Sequence, residues 1–111
     1  MMSFSATFLV YPGREQEVIS ILLDHVEQAK KEPGVIVTHV YRSRTDLRRF
    51  FIYHELTDQA AFDAHRATQH YGTHILTYLY GMFEPESLDM DTYDPLPSGE
   101  VQNPWAVLDR G

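Results

Sequence analysis

The stretch "DQAAFDAHRATQHYGTHILTYLY", residues 58 to 80, carries His65, His70 and His74, half of the chain's six histidines, threaded among Phe62, Tyr71, Tyr78 and Tyr80. An unperturbed imidazole titrates near pH 6.5, so it takes up and releases protons at neutral pH. In its neutral form it also ligates metals. His70 and His74 stand at i, i+4, a spacing that turns two rings toward one ion. A catalytic zinc site needs a third protein ligand, however, and no HExxH-like partner accompanies the pair. No metal is therefore expected, and proton transfer within an aromatic pocket is the favoured use of these side chains. The serines sit in no elbow-like context and there is no glycine-rich phosphate loop, so neither a serine nucleophile nor a nucleotide cofactor is expected.

The elements that must position these groups read off the periodicity. "FSATFLVYPG" is a strand closed by a Pro12-Gly13 turn, with Phe4, Ala6, Phe8 and Val10 on one face. From Arg14 to Lys31 the period turns helical. Val18, Leu22, Val26 and Ala29 make the apolar stripe, with His25 at its edge as a bland core-margin residue. "EPG" at 32–34 stops this helix. Two strands follow, 35–43 and 48–56, joined by a solvated arginine-rich hairpin loop. Val35, Val37, His39 and Tyr41 share one face of the first; Phe50, Ile52, His54 and Leu56 share one face of the second, opposite Phe51, Tyr53 and Glu55.

Thr57 and Asp58 cap a helix over 59–67 that groups Ala61, Phe62 and His65, so His65 should face the sheet. A second helical piece over 71–83 has Tyr71, Ile75, Tyr78 and Met82 as its stripe and His74 on the flank, and 86–94 alternates as a last strand. The order β-α-β-β-α-β predicts an α+β, ferredoxin-like subunit. Residues 1–94 form this single domain. Residues 95–111, rich in proline, form an extended tail expected to pack on a partner or over a pocket mouth. Both faces of the sheet read as apolar, where an antiparallel sheet usually keeps one face wet. Helices should cover one face and a second subunit the other.

Composition narrows the partners. A chain of 111 residues with net charge −7 lacks the basic face that nucleic acid requires. No stretch approaches the length of a membrane span and no signal peptide is evident, so a cytoplasmic protein without membrane attachment is expected. Cysteine is absent, which excludes disulfides, thiolate metal sites and a cysteine nucleophile.

Three segments carry a family resemblance: "YPGREQEV", "KKEPGVIVTHVYRS" and "FFIYHELTDQAAFDAHRATQHY". In order and spacing they resemble the antibiotic-biosynthesis monooxygenase family, which includes quinol monooxygenases. The resemblance implies a dimeric α+β barrel, in which two ferredoxin-like subunits close their sheets together as a homodimer. It further implies oxidation of a small quinol-like or polycyclic aromatic substrate by molecular oxygen, with no cofactor: neither metal, flavin nor haem. His65 and His70 fall on the family's histidine positions. His54-Glu55-Leu56 departs from the "ERW" common in relatives, and the Asn and Trp of haem-degrading and some tailoring members are missing from the matching helix.

Oxygen chemistry on a quinol needs a group that takes a proton from the substrate and one that returns a proton to the peroxide. His54 and His65 are the candidate catalytic pair, one on the sheet and one on the helix above it. His39, Tyr53, Phe62, His70, Tyr71, His74 and Tyr78 are candidate substrate-binding residues, the tyrosines as holders of a phenolate oxygen. Two other readings stay open: a noncatalytic dimeric small-molecule-binding protein, and an isomerase of an enolisable small molecule.

Overall fold

The computed structural model describes residues 1–68 and 78–97. Its elements are β1 (Met2–Leu9), α1 (Glu15–Ala29), β2 (Val35–Arg42), β3 (Arg49–Leu56), α2 (Gln59–Arg66) and β4 (Asp89–Tyr93), with single 3-10 turns at Leu79–Gly81 and Pro85–Ser87. The four strands form one antiparallel sheet in the order β2-β3-β1-β4. This is the ferredoxin-like α+β arrangement predicted from the element order.

Local chemistry sets the turns. Gly13 adopts φ +90°, a backbone region that side chains disfavour, and so reverses the chain between β1 and α1. Glu15 accepts a hydrogen bond from the Gly13 amide at 3.0 Å, which places its negative charge at the positive end of α1. Gly34 is needed for a different reason. A side chain there would collide with Ala61 of α2, so only glycine lets the turn between α1 and β2 press against that helix. Asp58 caps α2 by accepting from the Ala61 amide at 2.8 Å.

One face of the sheet carries the core. Register places Phe8 beside Phe50, Ala6 beside Ile52, Phe4 beside His54 and Met2 beside Leu56. At one end Phe8, Val10, Phe50 and Ile52 pack with Val18 and Leu22 of α1 and with Leu79 and Phe83. At the other end Met2 and Leu56 pack with Phe62 of α2, supported by Phe4 and Val35. His54 lies between these two apolar clusters, flanked along β3 by Ile52 and Leu56.

Four details differ from the sequence reading. The buried stripe of α1 is Val18, Leu22, His25 and Ala29, so His25, 2% exposed, takes the place assigned to Val26. A register shift between Val35 and Val37 turns Val35 inward against Leu56 while Val37, His39 and Tyr41 face outward, which breaks the common face expected for these four. The last strand is shorter than 86–94, because Pro85–Ser87 forms a 3-10 turn before it. Near residue 80, Leu79 and Phe83 point inward; Tyr78, placed by periodicity in the apolar stripe, is 52% exposed.

The opposite sheet face is mixed rather than simply apolar. Ser3 and Ser5 are buried there and bond to the hydroxyls of Tyr53 (3.2 Å) and Tyr93 (2.9 Å). Tyr53 donates in turn to Glu55 at 3.1 Å. Tyr41, Phe51 and Tyr93 add exposed rings to the same side.

Candidate active site

The site is built from three imidazoles delivered by three elements. Helical spacing i, i+3, i+7 from Leu22 turns His25 to the sheet along with Ala29. Strand alternation turns His54 inward from β3. In α2 the pair Phe62 and His65, three residues apart, faces the same way. The three rings meet with centroids 5.3 Å apart for His25 and His54, 5.2 Å for His25 and His65, and 4.8 Å for His54 and His65. All three are at most 3% exposed.

Each of two rings is held from behind. The Nδ1 of His65 lies 2.9 and 3.0 Å from the two carboxylate oxygens of Glu32. A carboxylate only accepts, so Nδ1 carries the hydrogen and Nε2 is the basic atom of the neutral ring. His54 bonds through Nδ1 to the Thr38 hydroxyl at 2.9 Å, and its Nε2 faces the Nε2 of His25 at 3.4 Å. Burial, and then the positive charge of His65, lowers the pKa of His54 from 6.5 to about 3. His54 is therefore a neutral imidazole at any physiological pH.

These rings line one wall of a cavity of about 110 Å³. The remaining described lining is mostly apolar, with Phe4, Phe8, Ile52 and Phe62 from the sheet and α2, Leu79 and Phe83 beyond, and Arg66 and Tyr80 at the rim. The guanidinium of Arg66 sits 5.6 Å from the centre of the Phe62 ring, a cation–π contact beside the cavity.

Of the residues singled out from the sequence, His54, His65 and Phe62 come together in this cavity. His39 and Tyr53 do not. They pair across β2 and β3 on the other face of the sheet, where His39 stacks on Tyr41 at 5.9 Å. Alternation forces this, since Tyr53 and His54 are consecutive on one strand. Tyr78 is also absent from the described lining, where Tyr80 stands instead. His70, Tyr71 and His74 lie outside the described residues. Sequence reasoning missed His25 and Glu32. The first was findable from the spacing Val18, Leu22, His25, Ala29, a full helical stripe. The second carried no local signal, because its role depends on a contact across 33 positions.

Comparison with known proteins agrees with this architecture. The family model for antibiotic biosynthesis monooxygenases matches residues 1–75. No curated protein matches the chain. Among solved structures, protein SO0527 from Shewanella oneidensis is 26% identical with a TM-score of 0.76, the match covering 83% of this chain and 87% of that one. A crystal structure described as an antibiotic biosynthesis monooxygenase is 22% identical with a TM-score of 0.80, covering 87% of this chain and all of the other. PA3566 from Pseudomonas aeruginosa is 20% identical with a TM-score of 0.77, covering 86% and 93%.

Proposed function

The chain belongs to the antibiotic biosynthesis monooxygenase family, and on that footing we propose that it oxidises a small quinol-like aromatic compound with molecular oxygen and without a cofactor. The observation that carries the reading is the Glu32–His65 pair at the wall of an apolar cavity. Glu32 fixes the tautomer of His65 and stabilises the imidazolium that forms when its Nε2 takes a proton, so His65 is the general base. His54 has the wrong basicity for that task, since its pKa of about 3 makes it a reluctant proton acceptor. It serves instead as a neutral ring of the cavity wall, its Nδ1 tied to Thr38 and its Nε2 turned to His25.

The reaction balances without an added reductant. Loss of a proton to His65 leaves an electron-rich phenolate. One electron passes to oxygen, and the resulting radicals combine into a carbon–peroxide bond. His65 returns its proton to the distal peroxide oxygen, the O–O bond breaks, and the ring carbon loses its hydrogen as a proton. One oxygen atom ends as the new carbonyl and the other as water. A dry, ring-lined wall favours the spread of charge over the substrate and keeps the peroxide from solvent.

The cavity favours a single-ring quinol over a polycyclic one, since about 110 Å³ falls well below the roughly 300 Å³ at which sites for larger ligands begin. A homodimer is part of the proposal. The support for it is the set of exposed rings Tyr41, Phe51 and Tyr93 on the sheet face away from the helices. Light scattering on the purified chain tests this, with a monomer counting against it. For the reaction, oxygen consumption with substituted hydroquinones, and with three-ring anthrone as the larger comparison, is measured on chelator-treated, folded protein. The expected result is one quinone formed per oxygen consumed; no uptake above the buffer rate overturns the reading. The small cavity with its carboxylate-backed base also favours a second reading, an isomerase of a small enolisable molecule. Turnover that persists under strict anaerobiosis identifies that case.

A further inference from the structure

The three imidazoles also satisfy the geometry of a metal centre, and this does not depend on the substrate or on the oxygenation reading. We propose that His25, His54 and His65 form a three-histidine site for a zinc-class divalent ion, with the fourth coordination position open to the cavity. One nitrogen from each ring lies within 4.8 Å of the others. A tetrahedral ion 2.0–2.1 Å from each nitrogen sets ligand atoms about 3.4 Å apart and ring centroids about 5.2 Å apart. The Nε2 atoms of His25 and His54 are 3.4 Å apart, and the three centroid separations are 5.3, 5.2 and 4.8 Å.

A second and independent observation is the outer support. Metal-bound histidines almost always use their other ring nitrogen to bond a carboxylate, hydroxyl, carbonyl or water, which orients the ring and raises its basicity. Here Glu32 holds the Nδ1 of His65 and Thr38 holds the Nδ1 of His54, which leaves Nε2 of each ring as the atom for the ion. The close approach of two Nε2 atoms points the same way. In the metal-free state one of them must carry a hydrogen toward the other, and an ion replaces that hydrogen while using both lone pairs. The ligand set is all nitrogen and buried in an apolar wall, which suits zinc, cobalt, nickel or copper and not calcium or magnesium. Because the ion takes the Nε2 of His65, metal loading and the proton transfer proposed above exclude each other.

The test is calorimetric titration of chelator-treated protein with Zn²⁺, together with absorption spectra of the Co²⁺ form, in which a tetrahedral centre has intense visible bands. One ion per chain and tetrahedral Co²⁺ bands are expected. His25→Ala should weaken binding more than about a hundredfold, and Glu32→Gln by about ten- to a hundredfold. Glu32 is at the margin of the fold, its side chain 21% exposed, so this variant keeps the core intact even if His25→Ala does not fold. Wild-type protein that fails to bind Zn²⁺, or a folded Glu32→Gln that binds as tightly as wild type, overturns the proposal. So does binding that survives His25→Ala but vanishes in the double variant His70→Ala, His74→Ala. Oxygen uptake by a protein that binds no zinc sinks this inference alone, and zinc binding by a protein whose metal-free form takes up no oxygen sinks the oxygenation reading alone.

Discussion

His39 and His54 lie on neighbouring strands one register position apart, yet the sheet gives them opposite surroundings. His54 faces inward, 2% exposed, held by Thr38 and crowded by two further imidazoles. His39 faces outward and stacks on Tyr41 among partly exposed rings. The same side chain is therefore a neutral group in a dry pocket on one face and a surface ring on the other. Residue type marks where proton chemistry is possible, but the face of the strand decides whether water is kept away from it.

The sharpest way to break this contrast is by activity. His65→Ala removes the proposed base from the inner face and should lower kcat/KM for quinol oxidation about 10²- to 10⁴-fold. His39→Ala on the outer face should leave it within about twofold, a change near the noise of surface substitutions. Comparable losses in both variants, with far-UV circular dichroism unchanged, would mean that chemistry does not reside in the inner cavity.

Packing offers a second comparison through two adjacent phenylalanines. Phe50 is 2% exposed within the larger apolar cluster, and Phe51, its neighbour, is 37% exposed on the other face. Truncating Phe50 to Ala should cost about 3–5 kcal/mol in urea unfolding. Phe51→Ala should cost far less per chain, but it should change how stability depends on protein concentration if a second copy covers that face. Equal costs at every concentration would remove the distinction between a packed and an associating face.

Acid provides a third. The pKa of His54 is about 3 in the fold and 6.5 when unperturbed. Between these values the unfolded chain binds more protons than the native one, so stability falls as pH falls. His25 from α1, His65 from α2 and Thr38 from β2 all face this ring. His54→Gln isolates its share. The wild-type slope below pH 6.5 should exceed that of the variant by up to about 1.4 kcal/mol per pH unit, and His39→Gln should leave the slope unaltered.

The contrast between the faces also explains how much could be read in advance. Element order and the inward direction of His65 were legible because period 2 and period 3.6 act locally; which face of β3 looks inward was not, because both of its faces read as apolar. That His54 and His65 share a cavity depends on how α2 lies over β3, which neither period states. His25 was obscured because Val26, next to it, competes for the stripe on hydrophobicity alone. The faces of β2 were misassigned because a register shift near Ile36 reverses alternation without any glycine or proline to announce it. Glu32 reads locally only as part of a helix stop. Its bond to His65 spans 33 positions, and Gly34, two residues on, lets the turn after α1 lie close against α2, which is a tertiary fact.

The smallest expected effect tests how α2 holds its part of the inner face. α1 spans 15 residues, buries four of them and has no side-chain cap, since Arg14 makes none. α2 spans eight residues, buries two and begins on the Asp58 carboxylate. A helix this short has little internal cooperativity to draw on, so its first-turn bond carries a larger share of its stability. Asp58→Ala should cost about 1 kcal/mol and Asp58→Asn much less, because Asn accepts the same amide hydrogen bond. The loss should appear as faster amide exchange in α2 and as a weaker Glu32–His65 pair, read as a shift in the pH profile of oxygen uptake, while α1 and the large apolar cluster keep their protection. Uniform loss of protection across both helices would show that α2 does not open separately, and that the imidazole it carries is fixed by the whole core rather than by its own cap.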